Sequence, residues 1–185
     1  MNADEFVREL RRCAPSMKRL RAQGLSQAEA RQMRSRFRAT RRRGVGPMVH
    51  VDPLDDLVSR FDLSQVIVGY VRFFPELRQG PRLTYFGHCD ADVLGRSRST
   101  GEILVEEFPV QGHTLAKCAV SSASFLEALA ELARLNARSL VDETFSQDRT
   151  NAGLHARRCA DLAGGEPYLK FYAELLGADE LLGMT

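Results

Sequence analysis

The chain has 185 residues, 44% hydrophobic and 27% charged, a composition within the globular range that excludes wholesale disorder. At this length roughly 70% of the unfolded surface can be buried on folding, and four dispersed cysteines, Cys13, Cys89, Cys118 and Cys159, form no C-x-x-C pair and suggest no disulfide framework. The net charge of +2 hides an asymmetry: residues 1–43 hold 13 Arg and Lys against four acids, the remainder 13 against 20, so a segment at +9 precedes a body at −7.

The opening Met-Asn-Ala-Asp-Glu-Phe has acid where a signal peptide needs base, and no apolar region follows. The longest apolar stretch, Val66–Val71, is far below a membrane span. These features predict a cytoplasmic protein with no membrane partner.

In chain order, Asp4 to about Arg12 fits a short helix, and Pro15 ends it or starts another. Ser26-Gln27-Ala28-Glu29 is a capping-box pattern, and the helix it opens places Ala30, Met33 and Phe37 on one face among many arginines. Gly44, Gly46 and Pro47 end this basic helical arm, which gives an expected division into an arm at 1–47 and a body at 48–185. Within the body, Asp52-Pro53-Leu54-Asp55 opens a short helix, with Asp52 as N-cap and Pro53 in the first turn.

The strands follow. Gln65–Phe74 is rich in Val, Ile, Tyr and Phe and reads as a strand closed by Pro75, with further strand segments at Leu83–Phe86 and around Val93–Arg96. A tight Ser99-Thr100-Gly101-Glu102 turn leads into a strand over Ile103–Phe108; Gln111-Gly112 makes the next turn, into Thr114–Val120. Ser124-Phe125-Leu126-Glu127 is a second capping-box pattern, opening an amphipathic helix through Leu129, Leu132 and Leu135. Asp142–Gly153 reads as a loop or frayed helix, and Leu154–Leu162 and Tyr168–Leu176 as closing helices. The expected architecture is α+β: an antiparallel sheet of about four to six strands packed with helices, preceded by the basic arm. Ile103, Val105, Val120, Phe125, Leu129 and Leu132 are expected to share one core.

The stretch from Gly87 to Leu132 resembles the SUKH superfamily of bacterial immunity proteins and related scaffold proteins. The resemblance rests on the Ser99-Thr100-Gly101-Glu102-Ile103 turn into a strand, and on Lys117-Cys118-Ala119-Val120 running into Ser122-Ala123-Ser124-Phe125-Leu126-Glu127-Ala128-Leu129. Many members also carry a tryptophan in the core and an opening Leu-Pro-x-x-Tyr segment, which this chain lacks. The resemblance implies a variable binding surface without a catalytic set, used in bacterial members to neutralise a toxin made by the same cell, often a nuclease or deaminase.

Catalytic and metal chemistry find little support in the residues. His88-Cys89, His113-x4-Cys118 and His155-x3-Cys159 bring histidine near cysteine, but a structural zinc site needs about four converging ligands and no second pair has the spacing. Adjacent residues on a strand face opposite ways, which separates Cys89 from His88 as nucleophile and base. No phosphate-cradling or common hydrolytic motif occurs. The sequence therefore predicts no catalytic residue, no metal, no cofactor and no enzyme. Its leading functional expectation is an immunity protein that occludes a basic toxin through Asp52, Asp55, Asp56, Glu102, Glu106 and Glu107. The alternative is nucleic-acid association through Arg34, Arg38, Arg41, Arg42 and Arg43.

Overall fold

The computed structural model of the chain describes residues 1–46, 51–110, 112–142, 145 and 149–183, with residues 149 and 150 described in backbone only. Among these residues the helices are α1 (Ala3–Cys13), α2 (Met17–Ala22), α3 (Gln27–Ser35), α4 (Pro53–Arg60), α5 (Ser122–Ser139), α6 (Arg149–Ala163) and α7 (Leu169–Leu176). The strands are β1 (Thr40–Arg41), β2 (Phe61–Asp62), β3 (Ile67–Val68), β4 (Val71–Gln79), β5 (Leu83–Cys89), β6 (Asp92–Ser97), β7 (Ile103–Glu106) and β8 (Thr114–Ala119). Strands β3 to β8 pair in sequence order as one six-stranded antiparallel meander, and β1 pairs with β2 apart from it. The fold is α+β, as expected.

Local chemistry sets the element ends. Asn2 and Glu5 form a capping box on α1, and Ser26 and Glu29 form the expected one on α3. Asp52 accepts the Leu54 amide at 3.0 Å ahead of Pro53, fixing the start of α4. The β6–β7 turn depends on Gly101, whose φ of +79° is the left-handed conformation that side chains resist. There the Gly101 amide reaches the Ser97 carbonyl at 2.9 Å and the Ser97 amide reaches the Glu102 carbonyl at 2.8 Å.

One face of the sheet is covered by α4 and α5, and α1 lies across both helices. Four aromatic rings connect these layers: Phe6 of α1 meets Phe73 of β4 at 6.3 Å, Phe73 meets Phe86 of β5 at 6.3 Å, and Phe86 meets Phe125 of α5 at 5.6 Å. All four rings are buried. Two ion-pair groups reinforce the docking of α1. Arg60 of α4 donates to both oxygens of Asp4 at 2.8 Å and to Asp56 at 2.7 Å. Arg134 of α5 joins Glu9 of α1 at 2.9 Å and Glu131 at 2.6 Å, and Glu131 also takes Arg158 of α6 at 2.9 Å. Helix α7 closes the core, with the buried Tyr172 hydroxyl donating to the Cys118 carbonyl at 3.0 Å.

Several local expectations change. The segment expected as one strand over Gln65–Phe74 is broken at Gly69, whose φ is +61°, into β3 and β4. Pro75 does not end β4; the strand passes through it at a register shift between Phe73 and Arg78. The cap of α5 is Ser121, which accepts the Ser124 amide at 3.2 Å, so the capping box read at Ser124 lies inside the first turn. Val120 is 48% exposed, while Cys118 and Ala119 supply the buried end of β8. The other five expected core residues, Ile103, Val105, Phe125, Leu129 and Leu132, are buried together. The expected boundary between residues 47 and 48, and Gln111 of the expected Gln111-Gly112 turn, lie outside the described residues.

Because α1 contributes Phe6, Val7 and Leu10 to the shared core, the beginning of the basic segment is part of the fold. Phe6→Ala should lower stability by about 3–5 kcal/mol, the loss typical of a fully buried ring. Urea unfolding followed by far-UV circular dichroism measures this, and a midpoint unchanged from the parent would show that α1 is not docked.

Candidate functional site

The six acids read from the sequence do not converge on one face. Asp52 and Asp55 hold Arg96 of β6 at 3.5 and 2.7 Å. Asp56, 9% exposed, is turned onto Arg60 and belongs to the α1–α4 contact. Glu102 takes Lys117 at 3.1 Å and the Tyr168 hydroxyl at 3.2 Å.

Glu106 is only 1% exposed, so it too is a structural acid. It receives Arg82 at 2.5 Å, the Tyr85 hydroxyl at 2.7 Å and the Gly112 amide. Burial by itself would push its carboxyl up, but these three donors hold it below the ordinary glutamate value of 4.5. Burial, and after it the same contact with Glu106, pushes the Tyr85 hydroxyl up to about 12. Arg82 also donates to the Gly112 carbonyl at 3.2 Å, so this network pins the far side of the β7–β8 loop to the sheet. Of the six acids, Glu107 has the most exposed side chain, and it faces His113 at 2.8 Å.

The antiparallel order brings three connections to one end of the sheet: the β3–β4 turn at Gly69-Tyr70, the β5–β6 turn at Asp90-Ala91 and the start of the β7–β8 loop. They are joined directly, the Asp90 amide reaching the Tyr70 carbonyl at 3.2 Å and the Phe108 amide reaching the Asp92 carboxylate at 3.1 Å. The Glu107 amide bonds the His113 carbonyl at 3.0 Å and closes the neck of the loop. Two aromatic side chains project from this pinned backbone, Tyr70 at 59% exposure and Phe108 at 66%, and Val110 of the same loop is also exposed. Asp90 adopts φ of +54°, a conformation Asp tolerates better than most residues.

This end of the sheet carries the carboxylates of Asp90, Asp92 and Glu174, with the exposed Arg72 of β4 beside His88. Burial pushes the Cys89 thiol up to about 12, and the neighbouring carboxylates of Asp90, Asp92 and Glu174 add to that shift. Cys89 is therefore held as a thiol near neutral pH. His88 turns its Nδ1 to the Asp90 carbonyl at 3.0 Å and stacks on Phe74. Cys118 and Cys159 are buried, and His155 packs against the Phe145 ring. Among the described residues no three His, Cys, Asp or Glu side chains are grouped to hold a metal ion. No described helix is long and apolar enough to cross a membrane.

The arginines read from the sequence divide by role. Arg34 and Arg38 line a groove formed by α1, α2 and α3. Arg41 lies on β1 and lines a neighbouring groove. Arg42 donates to the Phe61 carbonyl at 3.2 Å and the Pro75 carbonyl at 2.6 Å, while Arg43 is exposed in the following turn.

Sequence reasoning missed Tyr70, Asp90, Asp92, Phe108 and Glu174 as a group. Their turn positions were readable, but only the meander order brings them together. Comparison of the chain with protein-family models, with curated proteins and with solved structures gives no match.

The Glu106 network has a pH signature. A carboxylate whose folded pKa lies below its unfolded one contributes fully above the ordinary value of 4.5 and loses that contribution as pH falls through the folded value. Glu106→Gln should cost about 1.5–3 kcal/mol near neutral pH, where it removes buried charge-assisted hydrogen bonds. Denaturation curves of parent and variant should converge as pH falls below 4.5. A stability gap independent of pH would contradict this account.

Proposed function

We propose that the chain is a protein-binding module of the immunity type, which neutralises a toxin made by the same cell by covering it. The observation that supports this reading best is the sheet end, where Tyr70 and Phe108 stand exposed on a backbone tied down by hydrogen bonds and flanked by Asp90, Asp92 and Glu107. Large side chains displayed on a pre-ordered backbone suit anchor positions, because less conformational freedom is lost on binding. The surrounding carboxylates suit a basic partner such as a nuclease or deaminase, by raising the rate of encounter and disfavouring acidic proteins.

On this reading the work is occlusion and the chain performs no reaction on its partner. The SUKH resemblance supplies the biological setting, in which toxin and chain meet in the cytoplasm before the toxin leaves the cell. Within the acidic body, Asp56 and Glu106 serve the fold, whereas Asp90, Asp92 and Glu107 supply carboxylates at the sheet end.

The test uses the protein encoded by the neighbouring reading frame as the candidate toxin. Expressed alone it should arrest growth, and co-expression of the chain should relieve the arrest. Replacing both aromatics, Tyr70→Ser with Phe108→Ser, should weaken the complex by about 2 kcal/mol or more. The unfolding midpoint should hardly move, because both side chains are exposed. Asp90→Asn with Asp92→Asn should slow association and flatten its dependence on salt. A neighbouring product that is neither toxic nor bound, or a complex indifferent to the two aromatics, would overturn the proposal.

A further inference from the structure

We propose a second site, independent of the sheet end: the groove of α1–α3 binds the phosphate backbone of a nucleic acid. The groove has a volume of about 840 Å³, and Arg11, Arg21, Arg31, Arg34 and Arg38 all line it. Ala14, Met17 and the buried Phe37 complete the lining, and no Asp or Glu lines the groove. All five arginines are exposed.

Six arginines of the body, Arg60, Arg82, Arg96, Arg134, Arg138 and Arg158, each form an ion pair with a carboxylate, whereas none of the five groove arginines does so among the described residues. Arg72, Arg78, Arg98 and Arg157 also form no ion pair there, but they are spread over β4, the β6–β7 turn and α6, whereas the five share one groove. Gathering five like charges without counter-charge opposes folding, so the arrangement gains nothing for stability from charge pairing. Planar guanidinium groups instead match phosphate oxygens, which they can hold through paired N–H donors.

The frame that carries them is fixed. Leu20 of α2 and Ala30 of α3 are fully buried, and Phe37 and Ala39, which follow α3, belong to the main core. The Arg11 guanidinium is also oriented by a bond to the Ala39 carbonyl at 3.2 Å. Binding therefore does not have to order a disordered arm.

The extent of the basic surface selects a polymer over a compact anion. Arg11 also lines the second groove, together with Arg8, Arg12 and Arg41, so the basic surface continues beyond the first. Asp4, which lines this second groove, is committed to Arg60. Phe37 is buried and offers no face for a base to stack upon. The site therefore reads backbone charge with little base preference, and its affinity falls steeply with salt.

Fluorescence polarisation with the full chain tests this, using a short labelled single-stranded RNA and a labelled DNA duplex as separate probes. Either probe should bind at low salt, and the stronger one identifies the kind of nucleic acid. The double variant Arg31→Gln with Arg34→Gln should bind about tenfold more weakly, with a log–log salt slope shallower by about two. The control, Arg157→Gln with Lys170→Gln on α6 and α7, removes the same charge elsewhere and should bind as the parent does. Circular dichroism melts confirm that both variants are folded. Failure of both probes to bind, equal weakening by groove and control variants, or binding only to vesicles containing anionic lipid would overturn the assignment. None of these results bears on toxin capture, because the probes contain no protein partner.

Discussion

The contact on which the rest of the structure depends is the run of rings from Phe6 through Phe73 and Phe86 to Phe125. It joins the first helix, the neighbouring strands β4 and β5 and the long helix α5 in one buried row. Edge and tilted aromatic contacts add about 0.5–1.5 kcal/mol each beyond the apolar area they bury. The consequence is structural unity: the N-terminal segment is strongly basic in sequence, yet its first helix lies in the same core as the acidic body. The clasp of Arg60 by Asp4 and Asp56 holds α1 against α4 at one side of that row. Its removal would leave a buried guanidinium without compensation, which costs more than the pair itself contributes.

A rigid core makes sense of how charge is distributed. Asp56 and Glu106 are spent inside the fold, and Asp52, Asp55 and Glu102 hold cationic neighbours. Two groupings of charge stand out beyond these pairs. At one end of the sheet, carboxylates surround Tyr70 and Phe108; in the α1–α3 groove, five guanidinium groups have no carboxylate partner among the described residues. The net value of +2 averages over these opposite surfaces and describes neither.

Much of the fold was legible because local rules and tertiary packing agree. The capping box at Ser26, the Asp52-Pro53 helix start and the Gly101 turn are all present where the sequence places them. Misreadings arose where two local signals competed. The capping pattern in the sequence points to Ser124, whereas β8 ends at Ala119 and the helix starts early enough for Ser121 to cap it. Val120 continued the strand pattern, but the chain turns there toward α5 and leaves its side chain exposed. The candidate site was less legible than the fold. Sequence position says nothing about which carboxylates meet a buried arginine, so Glu106 and Glu107, adjacent in the chain, could not be separated into a structural and an exposed acid. Likewise Arg11 and Arg21 join Arg34 and Arg38 only through the packing of α1, α2 and α3.

The central claim is that the core holds the sheet end as a ready-made capture surface for a basic protein. Hydrogen–deuterium exchange of the full chain, with and without the toxin candidate from the neighbouring reading frame, tests it most directly. The account predicts added protection at the amides of Asp90, Ala91, Glu107, Phe108 and Val110, with α1–α3 unchanged. Protection confined to α1–α3, with the sheet end exchanging as in the free chain, would contradict it.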